Sequence, residues 1–534
     1  MTAFLMQSNQ NSMASKPSKP KPLTSSFLLF LIALLVFTTY YLRQLHDDFQ
    51  IYPKPSLNPA WYDVVSREMG HEWFNIGLVN MDEDEAAALV TKGRVLKVEM
   101  GTLDEGLRWS DLFPEWINES STKTRCPELP MPEFGRYEEL DVVVARVPCR
   151  VCEGSGWRDV ARLHVNLVVA NLLVRSGRVG GERPVLAVFL GCCGPMWEIF
   201  RCDDLVLRVG DSWIYRPELR RIRQLVHLPV GSCQVSPALA QSGSELRGAE
   251  AYATVLHSSE AYVCGAIALA QSILQTNTTK DLILLADDHI SPESIEALRS
   301  AGWKIKRIRR IRSPQSRKNS YNEWNYSKLR LWQLLDYDKV MFIDSDLIVT
   351  RSLDHFFTHP QISAAPNNKE IFNSGLMLLE PSLCTFRTLM KRRWLVRSYN
   401  GGDQGFLNEM FPWWHRLPKK INHLKFFRSD GGHEHRIADD AYALHYLGMK
   451  PWMCYKDYDC NWDKAATRRF ASDSANERWW RVYDSMPEKL RQFCALTPEA
   501  DARIRNNRVK AKRAKFGDGH WRIKVKDPRQ IHLS

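Results

Sequence analysis

The sequence predicts an α/β protein: a domain with a mostly parallel sheet, preceded by a separate α/β or α+β region and one N-terminal transmembrane helix. Three observations carry this expectation. Residues 249–463 alternate short apolar runs with helical periodicity, and repeated β-α-β units imply parallel strands with helices on both faces. Residues 61–248 hold further strand-like runs in a less regular order. Residues 23–42 are mostly apolar and long enough to cross a bilayer.

The apolar segment has no polar side chain over 27–37. Lys16, Lys19 and Lys21 precede it, whereas Arg43 is followed by Asp47 and Asp48. This asymmetry keeps residues 1–22 cytosolic and puts the rest of the chain in a lumen. A cleaved signal peptide is the competing interpretation. The late start of the segment and the lack of a small-x-small site near its end favour an uncleaved signal anchor. Residues 43–60 are polar and punctuated by proline, as in a stem. Twelve cysteines suit an oxidising lumen, with Cys149/Cys152 and Cys454/Cys460 as local pairing candidates. No second Cys-x-x-Cys or His-x-x-x-His accompanies the first, which argues against zinc. Sequons at Asn118, Asn277 and Asn325 are compatible with a lumenal location.

In the region 61–248, strands are expected at 77–80, 94–100, 141–147 and 183–191, with no motif tied to chemistry. In 249–463 the predicted order is strand 251–257, helix 261–275, strand 281–287, helix 292–300, strand 303–308, helix 327–335 and strand 339–343. The extension 464–534 is dense in Lys and Arg from 503 to 529 and reads as a solvated tail or edge. It supplies part of the net charge of +12. No zinc, RRM or helix-turn-helix pattern accompanies it, so nucleic acid is not an expected partner.

Ligands bind outside the carboxyl ends of strands in sheets of this kind. Asp344-Ser345-Asp346 stands at such an end, just after the apolar run 339–343. Two carboxylates this close repel unless a positive charge compensates, and a hard cation such as Mg²⁺ or Mn²⁺ supplies one. A solvated strand-end loop is the alternative. Four further motifs stand around it: YSKLRLW at 326–332, IFNSGLML at 371–378, NGGDQG at 400–405 and HYLGMKPW at 445–452.

In this order the five motifs resemble glycosyltransferase family 8, the glycogenin-like enzymes, over residues 249–463. More narrowly, the anchor, the large N-terminal region and GMKPWMCYKDYDCNWD at 448–463 resemble the plant UDP-glucuronate:xylan alpha-glucuronosyltransferase subgroup of the Golgi. The resemblance implies a GT-A-like, Rossmann-related nucleotide-sugar-binding domain. It also implies a UDP-sugar donor, a polysaccharide acceptor, Mn²⁺ and transfer with retention. Another UDP-sugar (glucose, galactose or galacturonate) on a glucan or pectin acceptor is the alternative within the family, and a non-catalytic scaffold is the alternative outside it.

The resemblance also assigns roles. Asp344, Asp346 and His445 match metal ligands, with Ser345 between the aspartates. Gly448 and Lys450 face the diphosphate, within a donor-binding stretch that includes Tyr446, Leu447 and Met449. Asn373, Ser374 and Gly375 hydrogen-bond the donor sugar. Asn400, Gly401 and Gly402 lead into Asp403 and Gln404 beside the anomeric carbon, and Lys328 lies near the sugar and phosphate. Leu256, Ser258 and Tyr262 hold the uridine, with His257 and Ser259 as alternatives in register. Asp403 either attacks the anomeric carbon or positions the sugar. Asn400 occupies a position where the family often has Asp, and an amide there suits a donor bearing a carboxylate.

Overall fold

Two sheets organise the chain. A computed structural model describes residues 59–84, 93–121, 125–149, 158–177, 184–239, 248–367, 371–427, 435–516, 519–525 and 527. The expected membrane segment lies outside these residues. Among the described residues no helix is long and apolar enough to cross a membrane.

The first sheet has six strands: β1 (Phe74–Val79), β2 (Gly93–Lys97), β3 (Val142–Arg146), β4 (Leu186–Leu190), β5 (Leu205–Val209) and β6 (Ser212–Tyr215). Their order is β2-β1-β3-β4-β6-β5, parallel from β2 to β4, with β6 antiparallel to both neighbours. β1, β3 and β4 are almost entirely buried, as their predominantly apolar sequences allow. Cys149 bridges Cys193 rather than Cys152, which lies outside the described residues. The register explains the choice. Arg146 pairs with Leu190, so the positions three residues beyond each strand end emerge side by side.

The second sheet has the order β14-β12-β13-β10-β7-β8-β9. Its strands are β7 (Glu250–Leu256), β8 (Asp281–Ala286), β9 (Lys304–Arg307), β10 (Lys339–Ile343), β12 (Ser363–Pro366), β13 (Phe372–Leu379) and β14 (His415–Arg416). It is mixed and mostly parallel, β13 running antiparallel to β10 and β12. Helices Val263–Leu274 and Pro292–Ser300 make the crossovers. A small third sheet joins β11 (Leu347–Val349), β15 (His423–Leu424) and β16 (Ala443–His445).

One expectation needs correction. The helix at 327–335 is instead a run of 3₁₀ turns, Asn325–Gln333. Tyr326, Leu329 and Trp332 recur every third residue and are all fully buried, which matches three residues per turn. Tyr326 stacks on Phe406 and Trp332 on Phe411. The basic C-terminal stretch begins as a helix, Pro498–Ala514, whose N-terminus is capped by Thr497. Ile504 packs it against Tyr455, Tyr458 and the Cys454–Cys460 disulfide.

A single apolar core joins the first two sheets, taking in Val143, Leu167 and Phe189 from one and Ala251, Phe342 and Trp413 from the other. Disulfide Cys202–Cys384 and the buried ion pair Arg201–Glu380 at 2.9 Å cross the same boundary.

Candidate active site

β10 is central in its sheet, with β7 on one side and β13 on the other, so its carboxyl end opens where the chain reverses. Ile343 pairs with Leu376, and the Asp344 amide donates to the Gly375 carbonyl at 2.8 Å. Three residues later the chain enters β11, where Leu347 pairs with His445 on β16. This register brings His445 Nε2 to 3.3 Å from Asp346 Oδ1. The ligand atoms of Asp344, Asp346 and His445 all lie within 4.8 Å of one another. Among the described residues the other such cluster is Cys149, Cys192 and Cys193, which are in disulfides.

Glycine at 375 follows from this convergence. A Cβ there would lie 2.6 Å from the His445 ring and 2.8 Å from Asn373 Oδ1. At Gly448, with φ +77°, a Cβ would meet Asn461 Oδ1.

The electrostatics are those of a crowded acidic pocket. Lys328 Nζ bridges Asp344 Oδ2 at 3.0 Å and Asp403 Oδ2 at 2.8 Å. Lys450 Nζ donates to Asp346 Oδ2 at 2.7 Å. Burial pushes the Asp344 carboxyl up to about 6, with Lys328 opposing and Asp346 and Asp403 adding to the rise. Burial also works against the ionised form of Asp346, but Lys450 and His445 outweigh it and hold that carboxyl below the usual range. Lys328 and Lys450 are raised: burial disfavours their charge, and the neighbouring carboxylates more than compensate. Three carboxylates thus face two ammonium groups, and the two oxygens and one imidazole nitrogen are a donor set suited to a hard divalent cation. The residues present fit such an ion.

The amides around His445 fix its tautomer. The Gly375 backbone N–H donates to Asn373 Oδ1 at 2.8 Å, so that oxygen is an acceptor. Asn422 Nδ2 therefore donates to it at 2.9 Å, which turns Asn422 Oδ1 toward His445 Nδ1 at 3.1 Å. Nδ1 carries a proton, and Nε2 is the ring nitrogen directed at Asp346, the one whose lone pair a cation would take in place of a proton. The remaining Asn373 amide group donates to Asn367 at 3.0 Å. The Asn373 side chain expected on the donor sugar is thus engaged in holding the histidine.

The NGGDQG loop closes the other side. Asn400 Oδ1 accepts from Ser398 Oγ, Gly402 N and Gly405 N at 2.9, 2.9 and 3.2 Å, shaping the entry to helix Asp403–Met410. Gly401 adopts φ +68° in this turn. Ser374 Oγ donates to Asp403 Oδ2 at 2.8 Å, and Gln404 Oε1 accepts from Ser374 N at 3.3 Å.

The expected uridine residues are less uniform. Leu256 is buried in the core, and Tyr446 is too, with its hydroxyl on the Ala475 carbonyl. Ser258 has φ +74° and donates its amide to Asp287 Oδ2 at 3.0 Å. His257 lies 3.0 Å from Ser258 Oγ; burial lowers its pKa to about 4, and Asp287, Lys328 and Asp403 act on it. Tyr262 packs edge-on against Trp452.

Sequence reasoning missed Asn422, Asp287 and Tyr321. Asp287 had a legible signal: like Asp344, it stands at the carboxyl end of a parallel strand. Tyr321 lies in side-chain hydrogen-bonding reach of Tyr262, and the charges of Asp346, Asp344 and Asp403 act on its hydroxyl.

Family models match in two places: glycosyl transferase family 8 over residues 253–362, and the GUX1-5 N-terminal domain over residues 54–233. The chain is 48% identical over 506 residues to the putative UDP-glucuronate:xylan alpha-glucuronosyltransferase 4 of Arabidopsis thaliana, covering 90% of each chain. It is 49% identical over 493 residues to UDP-glucuronate:xylan alpha-glucuronosyltransferase 2 of the same plant, covering 88% of this chain and 82% of that one. A crystal structure of the galactosyltransferase LgtC with donor and acceptor sugar analogs matches 46% of this chain and 99% of that one, at 16% identity and TM-score 0.34. The chain belongs to glycosyltransferase family 8, in its UDP-glucuronate:xylan alpha-glucuronosyltransferase group.

Proposed function

We propose that this chain transfers glucuronate, with retention, from UDP-glucuronate to the xylan backbone, as a Mn²⁺-dependent enzyme anchored in the Golgi membrane. The observation that carries the reaction is the convergence of Asp344, Asp346 and His445 at the carboxyl end of β10, with Lys450 beside them. The donor and acceptor rest on the names of relatives that align along most of the chain. The apolar segment 23–42 and the lysines before it support the membrane placement.

Mn²⁺ held by Asp344, Asp346 and His445 would neutralise the diphosphate as UDP departs. Lys450 adds an ammonium group for the same phosphates. Asp403 Oδ2 already accepts from both Lys328 and Ser374, which suits a carboxylate that positions the sugar more than one that attacks it. In this reading the acceptor oxygen bonds to the anomeric carbon on the face that UDP leaves, and a phosphate oxygen of UDP takes its proton. Asn400 Oδ1 is committed to the loop, so the amide nitrogen is the part left to meet a donor carboxylate. An aspartate there would repel that carboxylate.

The test is a donor panel on xylohexaose with product analysis by mass spectrometry. Glucuronosyl transfer is expected to be much faster than glucosyl transfer, and Asn400→Asp to narrow or reverse the preference. A wild-type preference for UDP-glucose would remove the glucuronosyl assignment.

A further inference from the structure

Trp394 is 66% exposed, Leu395 73%, Tyr399 60% and Tyr321 75%. Large apolar side chains left in water are unfavourable, and a cluster of them marks a surface that something covers. These four sit on two segments, 313–322 and 394–402, that hydrogen bonds tie together. Gln315 donates to the Val396 carbonyl at 2.6 Å and accepts from the Ser398 amide at 2.6 Å. Ser313 Oγ donates to the Gly401 carbonyl at 2.7 Å, and Asn322 to the Asn400 carbonyl at 2.8 Å. The aromatic groups are therefore carried on a braced rim rather than on independent loops.

The rim is continuous with the active site. The Tyr399 hydroxyl accepts from Gln404 Nε2 at 2.7 Å, one residue from Asp403. Tyr321 reaches toward Tyr262 and the acidic cluster from the facing segment. Trp394 has the Arg393 guanidinium 5.2 Å from its ring centre, which supports the indole from one side.

We propose that this rim is the acceptor platform, and that its occupant is a β-1,4-linked xylan chain lying across Trp394, Leu395 and Tyr399 toward Asp403. The chemistry matches. Xylose lacks the exocyclic hydroxymethyl group of a hexose, so both faces of the ribbon present C–H groups to flat aromatic surfaces. A neutral polymer also needs no charged partner, and the four side chains offer none. The proposal rests on the xylan reading above, but its binding test does not depend on which sugar is transferred.

The full chain is titrated calorimetrically with xylohexaose in the presence of UDP and Mn²⁺, and separately with UDP and Mn²⁺ alone. The expected result is that the wild type binds xylohexaose and Trp394→Ala/Leu395→Ser binds it roughly tenfold more weakly or worse. Trp394→Phe should recover most of the affinity, and UDP affinity should be unchanged in both variants. Unaltered xylohexaose binding by the double variant overturns the proposal. So does a loss of UDP affinity, which would assign the rim to the donor, or a wild type that binds no xylohexaose. If the platform variants lose xylohexaose while the wild type transfers a sugar other than glucuronate, the platform stands and the donor assignment falls. If the wild type transfers glucuronate to xylohexaose and the double variant matches it in acceptor KM, the function stands and the platform falls.

Discussion

Asn422 touches no expected substrate, yet it decides which nitrogen of His445 is available. With Nδ1–H held on Asn422 Oδ1, Nε2 is the nitrogen left to meet a cation. Asn422→Leu removes that acceptor, and cation affinity should fall by about ten- to a hundredfold, the usual cost of losing a partner behind a metal-ligating histidine. Asn422→Asp keeps the acceptor and should retain more of the affinity. Calorimetric titration of Mn²⁺ into each variant checks this, and equal affinity for the leucine variant would contradict it. Asp344 sets the pH dependence. Its carboxyl is pushed up to about 6 by burial, against Lys328 and with help from Asp346 and Asp403. A ligand carboxylate must be ionised to bind, so protons compete as pH falls through that value. Cation affinity should fall as pH drops through about 6, with the Asp344 proton alone costing about tenfold per unit below that value. Asp346, held below the usual carboxylate range, contributes nothing to that slope.

Elements were legible in the sequence where one local pattern sufficed. The run 339–343 announced a buried strand, and the aspartates after it announced a site at its carboxyl end, because both signals are contiguous. β11 and β16 have three residues each, too few for a pattern, and it is their long-range pairing that sets His445 beside Asp346. Asn422 was invisible for the same reason: its partner is 23 residues away and meets it only in the folded chain. The pattern over 327–335 predicts a helix without fixing its type, because apolar residues every third position fit an α-helix or the observed 3₁₀ run Asn325–Gln333 equally at short length. Helix Asp403–Met410 shows what the first sheet's region contributes. Trp197 Nε1 donates to the Met410 carbonyl at 2.8 Å, and Arg158 binds Glu409 at 2.8 Å and the Asn408 carbonyl at 3.2 Å. These contacts hold the C-terminal end of the helix whose first residue is Asp403. Trp197 also stacks on Phe411 at 4.6 Å. Trp197→Ala should therefore cost about 2–4 kcal/mol of stability and lower kcat while leaving cation affinity intact. Chemical denaturation and steady-state kinetics distinguish this from a purely local packing defect, in which kcat would not change.

At the scale of the molecule, two sheets with a common core carry one site. The end of β10 in the second sheet and the β11–β16 pairing of the small third sheet bring Asp344, Asp346 and His445 together, and the region before them braces the helix that begins at Asp403. The chain carries a net charge of +12, yet inside the site acid outnumbers base. The central claim is that this acidic convergence drives sugar transfer through a bound divalent cation. The most direct measurement is the rate of glucuronosyl-xylohexaose formation by wild type and Asp346→Asn, each with Mn²⁺ and with EDTA. Both removal of the cation and the single substitution should lower the rate by about a thousandfold or more, with the variant still folded. Turnover near wild type by Asp346→Asn, or by the wild type in EDTA, would contradict the account.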